Sequence, residues 1–392
     1  MASRISFNQI SARVLDRLFM NYGKLEDIQE QLATGKKLNS ASDNPVSASQ
    51  SMELRSQLDQ FKSFQRNIDD GLGYLGTVDS ALNTATNLYQ SMRERAIQAS
   101  NDSNSAESRY YIGREVRGMF DQMVALSNTT FKGEYIFSGT NTQVPPFEMR
   151  SGKSTLQAGA LPTTTSTDYP GINTWFDLKD MNADDSNDTP TGNPFAQLAV
   201  PGTFSIQGMT EGIDYEVDYR NGRLKILSAS ADAVVTGGGV VVNYDWIRRN
   251  EKDLDGVSNR ELEEGVTARM NTTATDVFGA KQGLNAWESM IDLLEGTLNN
   301  KADKVRGSLN KIDDSLRRNL TAQSSNGARV LRFESTQSRN TERQVYTTQL
   351  QSDVEDVDFA QAVSDFNLQQ AVYDASLKMG ARALQNTLAN FL

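Results

Sequence analysis

The stretch VEDVDFAQAVSDFNLQQAVYDASLKMGARALQNTLANFL, from Val354 to Leu392, decides the fold of this chain. Its mostly apolar positions recur in steps of three and four, which is the period of a helix seam. The seam runs through Val363, Phe366, Gln370, Tyr373, Leu377, Gly380, Leu384, Thr387 and Phe391. Because a long helix cannot bury such a stripe against itself, the stripe requires a partner.

The first forty residues carry a matching seam, with polar interruptions at Ser11 and Asn21. We therefore expect an N-terminal helix to pair with a C-terminal helix, the rest of the chain being looped out between them. Alanines cover the other faces of the C-terminal helix, and one partner helix covers only one face. The further partners are expected to be other copies of the chain. The predicted assembly seam comprises Val14, Leu18, Leu25, Ile28, Leu32, Val363, Phe366, Tyr373, Leu377, Leu384 and Phe391.

Two residue types are missing from the 392 residues, which contain 0 Cys and 0 His. Their absence excludes a thiolate nucleophile, a Cys/His metal site, a disulfide and a histidine general base. An enzyme would have to rely on carboxylates or lysines, so we expect a protein that is not an enzyme. The first residues, MASRISFNQISARVL, show no signal-peptide pattern, and no stretch is apolar enough to span a membrane. These signals alone predict a cytoplasmic protein.

The net charge of −11 is concentrated in the middle of the chain. Lys and Arg number 15 against 16 Asp and Glu in residues 1–140, 11 against 19 in 141–269, and 13 against 15 in 270–392. An acidic chain without a basic surface is a poor partner for nucleic acid. The nearly neutral ends are suited to pack against copies of themselves, whereas the acidic middle indicates a solvated surface.

Helix signals follow the first helix in order. Gly35 is typical of a helix end, and Asn44 followed by Pro45 is typical of a new helix start. An apolar pattern of threes and fours continues to about residue 100 and predicts one long helix. Residues 101–105 are expected to form a turn before another helix that starts near Ala106.

The composition changes between residues 145 and 201, which contain seven of the eight prolines. Residues 150–195 are rich in Thr, Ser, Asp, Asn and Gly, which predicts loops with little regular structure. Residues 203–207 alternate in the manner of a strand, and Asn221-Gly222 between two alternating runs predicts a β-hairpin. Together with VVTGGGVVVNYDW, these strands predict a small antiparallel β domain that ends near residue 265.

Helical patterns return at about residues 280–298 and 304–351, and SDVEDVDF is expected to be a hinge before the last helix. The predicted fold is mainly α with a β insertion: a long antiparallel helical rod or coiled coil built from both chain ends, with a small antiparallel β domain at the tip. We expect terminal assembly segments at 1–44 and 352–392, a helical rod at 45–140 and 270–351, and a β-rich outer domain at 141–269.

Two short motifs imitate ligand sites. Gly71, Gly73 and Gly76 match the G-x-G-x-x-G pattern of dinucleotide-binding proteins, but no strand precedes them, so close helix packing is favoured. Asp180, Asn182, Asp184, Ser186 and Asp188 imitate the start of a calcium loop without its glycine and its final glutamate, which favours a flexible acidic loop. The other acidic residues are expected on solvated helix faces, and no cofactor or metal is predicted.

Several motifs resemble the bacterial flagellin superfamily. LATGKKLNSASDNPVSAS looks like its N-terminal signature, and RNIDDGL with RERAIQASNDSNSAESR is similar to the segment that follows. MASRIS, LSNTTFKGEYIFSGTNT, the NGAR of Asn326 to Arg329, and SDVEDVDF are most similar to the hook-associated branch of that superfamily. The resemblance covers roughly 140 residues at the front and 120 at the back.

The resemblance implies that the terminal helices form an inner coiled-coil layer around a central channel. The long helices would form the next layer and the β domain the outer surface. It also implies a chain that leaves the cell unfolded through the flagellar type III exporter, with a cytoplasmic chaperone and without a cleaved signal. The protein would then be extracellular. The implied partners are like copies, hook-associated protein 1 and flagellin, without membrane insertion.

Three functions are compared. The first is a structural adaptor that joins hook to filament by polymerising through its terminal helices. The second is flagellin, the filament subunit itself. The third, a secreted enzyme with a catalytic middle domain, would depend on carboxylates such as Asp184 or Asp214.

Overall fold

The structure is a computed structural model that describes the backbone of residues 7–157, 166–168, 171, 173–177, 197–249, 255–279 and 285–389. Long helices precede and follow a β-rich middle, which confirms the predicted mainly α fold with a β insertion. The helices are α1 (Phe7–Thr34), α2 (Pro45–Ser100), α3 (Ala106–Ser127), α4 (Ala229–Gly238), α5 (Ala274–Phe278), α6 (Asn285–Leu298), α7 (Ala302–Glu355) and α8 (Phe359–Ala389).

The strands are short, apart from two that contain ten residues or more. They are β1 (Thr130–Phe131), β2 (Glu134–Tyr135), β3 (Phe147–Gln157), β4 (Ser166–Asp168), β5 (Trp175–Asp177), β6 (Gln197–Ala199), β7 (Ser205–Ile206), β8 (Tyr215–Asp218), β9 (Arg223–Ile226), β10 (Val240–Arg249), β11 (Asn259–Glu263) and β12 (Val266–Arg269).

Local signals set the ends of the first helices. Helix α1 stops at Thr34 because Gly35 takes a left-handed conformation with φ of 72°. Asn44 starts α2, because its Oδ1 accepts hydrogen bonds from the amides of Val46 at 3.1 Å and Ser47 at 3.2 Å. At its 56 residues, α2 is about 84 Å long.

The chain forms two compact units, one of residues 1–66 with 337–392 and the other of residues 67–336. Helices α2 and α7 contribute to both units. In the larger unit they run antiparallel, and buried asparagines of α7 donate across to backbone carbonyls of α2. Asn319 Nδ2 lies 2.8 Å from the carbonyl oxygen of Leu82, and Asn326 Nδ2 lies 3.1 Å from that of Leu75. Such polar contacts in a helix seam fix its register.

Two of the three glycines of the G-x-G-x-x-G motif allow another element to pack closely against α2. At Gly71 that element is a helix, α7, as predicted, and at Gly73 it is strand β1. A Cβ atom at Gly71 would lie 2.2 Å from Cε1 of Phe333, and one at Gly73 would lie 3.2 Å from Cζ of Phe131. Gly76 has no such neighbour within 4 Å. The first glycine is therefore a notch for a buried aromatic ring on α7.

The core of the larger unit contains an aromatic cluster around Trp287 on α6. Its ring centroid lies 5.5 Å from Phe120 of α3, 5.0 Å from Phe147 of β3 and 5.5 Å from Phe278 of α5. Aromatic rings at these separations add stabilisation beyond the burial of their area. The cluster therefore packs helices α3, α5 and α6 against strand β3.

The main sheet has the strand order β4-β3-β10-β6, and β7 also pairs with β10. Strands β3 and β10 pair antiparallel from Phe147 opposite Arg249 to Leu156 opposite Val240. The prediction of loops over residues 150–195 is therefore wrong for β3, whose partner lies some ninety residues further along the chain. The pairing of β3 with β4 is parallel, in contrast to the antiparallel arrangement predicted. The calcium-like stretch lies outside the described residues.

The predicted hairpin is present as β8 and β9, with Asp218 opposite Arg223 and Gly222 at a φ of 60°. The strand predicted for VVTGGG is wrong, because these residues belong largely to α4. The hydroxyl of Ser228 accepts from the amide of Ala231 at 3.1 Å and starts this helix. The strand begins only at Val240, after α4 has ended.

Candidate assembly surface on the terminal helices

Helices α1 and α8 pack antiparallel within the smaller unit. The Tyr22 and Tyr373 rings lie 6.0 Å apart, and a Cβ atom at Gly380 would lie 3.1 Å from Cγ1 of Val14. Gly380 therefore permits a close approach of the two helices near one end of the pair. At the other end, the ring of Phe359 packs against Gly35.

Polar groups fix the register of the pair. Asn21 Nδ2 donates to the hydroxyl oxygen of Ser376 at 2.9 Å, and Gln369 Nε2 donates to the carbonyl oxygen of Asn21 at 3.2 Å. A sliding of α1 along α8 would break both bonds. The asparagine that interrupts the predicted N-terminal seam is thus a register-fixing residue.

The structure places the predicted seam residues of the two helices differently. Those of α1 are all half-buried: Val14, Leu18, Leu25, Ile28 and Leu32. In α8, Phe366 and Tyr373 are half-buried, whereas Val363 is 48% exposed and Leu377 is 44% exposed. The side chain of Leu384 and the whole of Phe391 lie outside the described residues. Whether these residues contact other copies stays a prediction.

The least exposed face of α8 begins one residue before the predicted stripe. It runs through Ala362, Phe366, Gln369, Tyr373, Ser376 and Gly380, which also follow each other in steps of four and three. Sequence reasoning missed Gln369 and Ser376 because they are polar. The sequence did offer a signal, namely the helical spacing of Gln369 and Ser376. Asn21 on α1 can bond to such polar residues, and Gly380 permits a close approach of the two helices.

Apolar side chains that neither helix covers form two outer stripes. The outer stripe of α1 consists of Leu15 and Phe19, and Phe19 is 73% exposed. The outer stripe of α8 consists of Leu368, Val372 and Met379, and Met379 is 71% exposed. Both follow helical spacing, so each lies along one face of its helix. Extended apolar surface of this kind marks a site of interaction with other molecules.

The last residue of α7, Glu355, lies where the terminal pair joins the long helices. Its side chain is 2% exposed. The carboxylate accepts from Lys36 Nζ at 2.5 Å, Ser51 Oγ at 2.5 Å, Arg55 Nε at 2.8 Å and Gln351 Nε2 at 2.9 Å. The hydrogen bond from Arg55 is the main cause that holds the pKa of Glu355 well below its ordinary value, with further contributions from the other three donors.

The expectation that acidic residues lie on solvated helix faces is wrong for Glu355 and for Glu295, whose side chain is 5% exposed. Glu295 binds the amino groups of Lys301 and Lys304. Both carboxylates are buried because nearby cations and other donors offset the loss of hydration.

Among the described residues, no group of three or more acidic side chains is arranged to hold a metal ion. The helices described here include none that is both long and apolar enough to cross a membrane. What the terminal helices do offer is a paired, register-fixed unit with apolar stripes on its outside. This arrangement is that of a helical protein whose paired terminal helices carry exposed apolar stripes.

Comparisons with known proteins identify the family. Residues 5–142 match the bacterial flagellin N-terminal helical region, and residues 309–392 match the bacterial flagellin C-terminal helical region. Together the two regions contain α1, α2, α3, α8 and most of α7. The chain belongs to the flagellin superfamily, whose members are structural proteins of the bacterial flagellum.

Individual relatives include a hook-associated protein and a flagellin. The chain is 32% identical over 136 residues to flagellar hook-associated protein 3 of Escherichia coli. This alignment covers 34% of this chain and 41% of that protein. It is 22% identical over 396 residues to a flagellin of Clostridium tyrobutyricum. This second alignment covers 98% of this chain and 99% of that protein. The first of these alignments thus spans about two fifths of the relative.

A solved structure shows the same fold. It belongs to a Vibrio parahaemolyticus protein described as a flagellar hook-associated protein, with a TM-score of 0.51 and 16% identity. The superposition covers 80% of this chain and 100% of that chain. At this level of identity the likeness concerns the arrangement of helices and sheets.

Proposed function

We propose that this protein is the adaptor that joins hook to filament. Its similarity to a relative named flagellar hook-associated protein 3 supports the proposal. It would polymerise through α1 and α8 as a short zone of the flagellum. Like copies would contact it laterally, hook-associated protein 1 from below and flagellin from above. An export chaperone would accompany it in the cytoplasm before secretion without a cleaved signal.

The observation that carries this proposal is the pair of outer apolar stripes on α1 and α8. In a protein that functioned as a monomer, side chains such as Phe19 and Met379 would face water without compensation. The two stripes differ in sequence and lie on different helices, so they favour contact between unlike faces of neighbouring copies. Contacts of that type generate rings or helical tubes.

The proposed division of labour follows the three segments of the sequence. Residues 1–44 and 352–392 would serve assembly, residues 45–140 and 270–351 would form the helical rod, and residues 141–269 would form the outer domain. The seam residues Val363 and Leu377, which are exposed on α8, would be buried by neighbouring copies.

The second candidate is flagellin, because the alignment to the Clostridium tyrobutyricum flagellin extends over nearly the whole of both chains. Immunogold electron microscopy distinguishes the two functions. An antibody against residues 197–249 should label one narrow zone at the base of each filament. Labelling along the whole filament would contradict the adaptor function and support the filament subunit.

A further inference from the structure

Two chain segments connect the α1/α8 pair to the long helices, and they run side by side. The first begins at Gly35 after α1, and the second spans residues 356–358 before α8. Lys36 and Asp356 form an antiparallel β-bridge. The amide of Lys37 donates to the carbonyl oxygen of Glu355 at 2.8 Å, and the amide of Val357 donates to that of Gly35 at 3.0 Å.

The carboxylate of Glu355 ties this bridge to the long helices. Its four donors come from three segments: Lys36 from the first connection, Ser51 and Arg55 from α2, and Gln351 from α7 itself. A carboxylate at the C-terminal end of a helix is unfavourable for the helix dipole, and its burial costs hydration. The site therefore exists only because these donors converge on it.

We propose that Glu355 is a positioning residue: a charge-dependent clamp that fastens both connections together and holds the α1/α8 pair in the orientation in which it polymerises. The part of this inference that concerns polymerisation rests on the proposed function. The clamp itself does not, because all its members belong to the smaller unit of the isolated chain.

Among the charged groups around the clamp, Glu355 is the carboxylate that the cations contact, so its protonation is the one expected to weaken the clamp. Two cations, Lys36 and Arg55, reach the carboxylate of Glu355. The amino group of Lys37 is instead bonded to the carbonyl oxygen of Asp353. The neighbouring carboxylates, those of Asp353 and Asp356, are bonded to the neutral side chains of Gln349 and Ser352.

The sign of the pH effect follows from the pKa of Glu355, which lies below the ordinary glutamate value of 4.5 in the folded chain. The ionised clamp contributes fully above that ordinary value. As the pH falls below 4.5 toward the lowered folded-state pKa, the contribution is progressively lost. Acid should therefore loosen the bridge between the two connections.

Hydrogen exchange of the full chain tests the clamp directly. The relevant amides are those of Lys37 and Val357, measured as protection factors so that the intrinsic pH dependence of exchange cancels. In Glu355→Gln, we expect the protection of these amides at pH 7 to fall by roughly tenfold to a hundredfold, because the two ion pairs are lost. The loss is not larger because Lys36 and Arg55 are partly exposed and solvent screens their charges. The matched control is Glu342→Gln, an exposed position of the same helix, which should leave protection unchanged.

A pH series separates a charge-dependent clamp from a general loss of packing. Wild-type protection at these two amides should stay constant from about pH 6 to 4.5 and decline below that, whereas that of Glu355→Gln should stay flat throughout. Protection of α3 serves as the folding control in both proteins. Arg55→Met supplies a second variant with the carboxylate retained, and it should lie between wild type and Glu355→Gln.

Equal protection in wild type and Glu355→Gln, or the same decline with pH in both, would overturn the clamp. If protection falls but Glu355→Gln enters flagella as well as wild type, the orienting role is wrong while the adaptor function stands. Loss of entry with Glu355→Gln and normal entry with Glu342→Gln would support the inference. Absence of the wild-type chain from the base of the filament would refute the proposed function and leave the exchange result unaffected.

Discussion

The outer stripe of α1 offers a prediction that separates assembly from folding. Phe19→Ala removes an aromatic ring that is 73% exposed in the isolated chain. Full burial of such a side chain is worth about 1.5–3 kcal/mol, so about 1–2 kcal/mol remains to be gained when a neighbouring copy covers the ring. Because 1.4 kcal/mol corresponds to a factor of ten, the variant should incorporate roughly 5- to 30-fold less readily than wild type.

The assay is a competition within one cell. Wild type and Phe19→Ala are expressed together at equal levels, flagella are isolated, and the ratio of the two chains is measured by quantitative mass spectrometry. The matched control is Val234→Ala on α4, where an apolar side chain is 51% exposed outside the terminal helices. Control and wild type should appear in equal amounts, and thermal unfolding of both purified variants should match wild type within about a degree.

The argument is refuted if Phe19→Ala appears in flagella as often as wild type. The stripe would then face water in the assembled state as well. If instead the variant unfolds at a clearly lower temperature, the ring of Phe19 stabilises the folded monomer, which its high exposure does not explain.

Three further predictions concern other parts of the chain. Leu18→Asp places a charge in the contact between α1 and α8 and should abolish incorporation while the hairpin of β8 and β9 stays folded, as judged by hydrogen exchange of its amides. Gly71→Ala should lower the free energy of unfolding by about 1–3 kcal/mol in urea titrations, and Phe333→Leu in the same chain should recover part of the loss. Burial raises the pKa of Glu211, so the wild type should gain stability relative to Glu211→Gln as the pH falls from 7 toward 5, and an unchanged difference would contradict this.

The start of α2 and the β8/β9 hairpin were predictable because their signals are local. Asn44 bonds to amides two and three residues further on, and Gly222 supplies the positive φ that its turn requires. Strand β3 was not predictable in this way, because most of its backbone bonds go to β10. Thr-, Ser- and Gly-rich residues form that strand only when a distant partner is present.

The candidate site was predictable in outline but not in detail. Periodicity identified two pairing helices, yet Ala362 and Val363 are both apolar and adjacent, so the start of the inner face was ambiguous by one residue. The polar residues Gln369 and Ser376 are part of the contact only because Asn21 lies opposite them. The sequence did not distinguish Glu355 from the neighbouring acidic residues, because three of its four donors come from positions some three hundred residues earlier.

Electron microscopy of a strain that lacks this gene, combined with an assay for flagellin in the culture medium, tests the adaptor function most directly. The proposal predicts complete hooks without filaments, and flagellin monomers released into the medium. Bare hooks with no flagellin in the medium would show that this chain is the filament subunit. Intact filaments would contradict both functions.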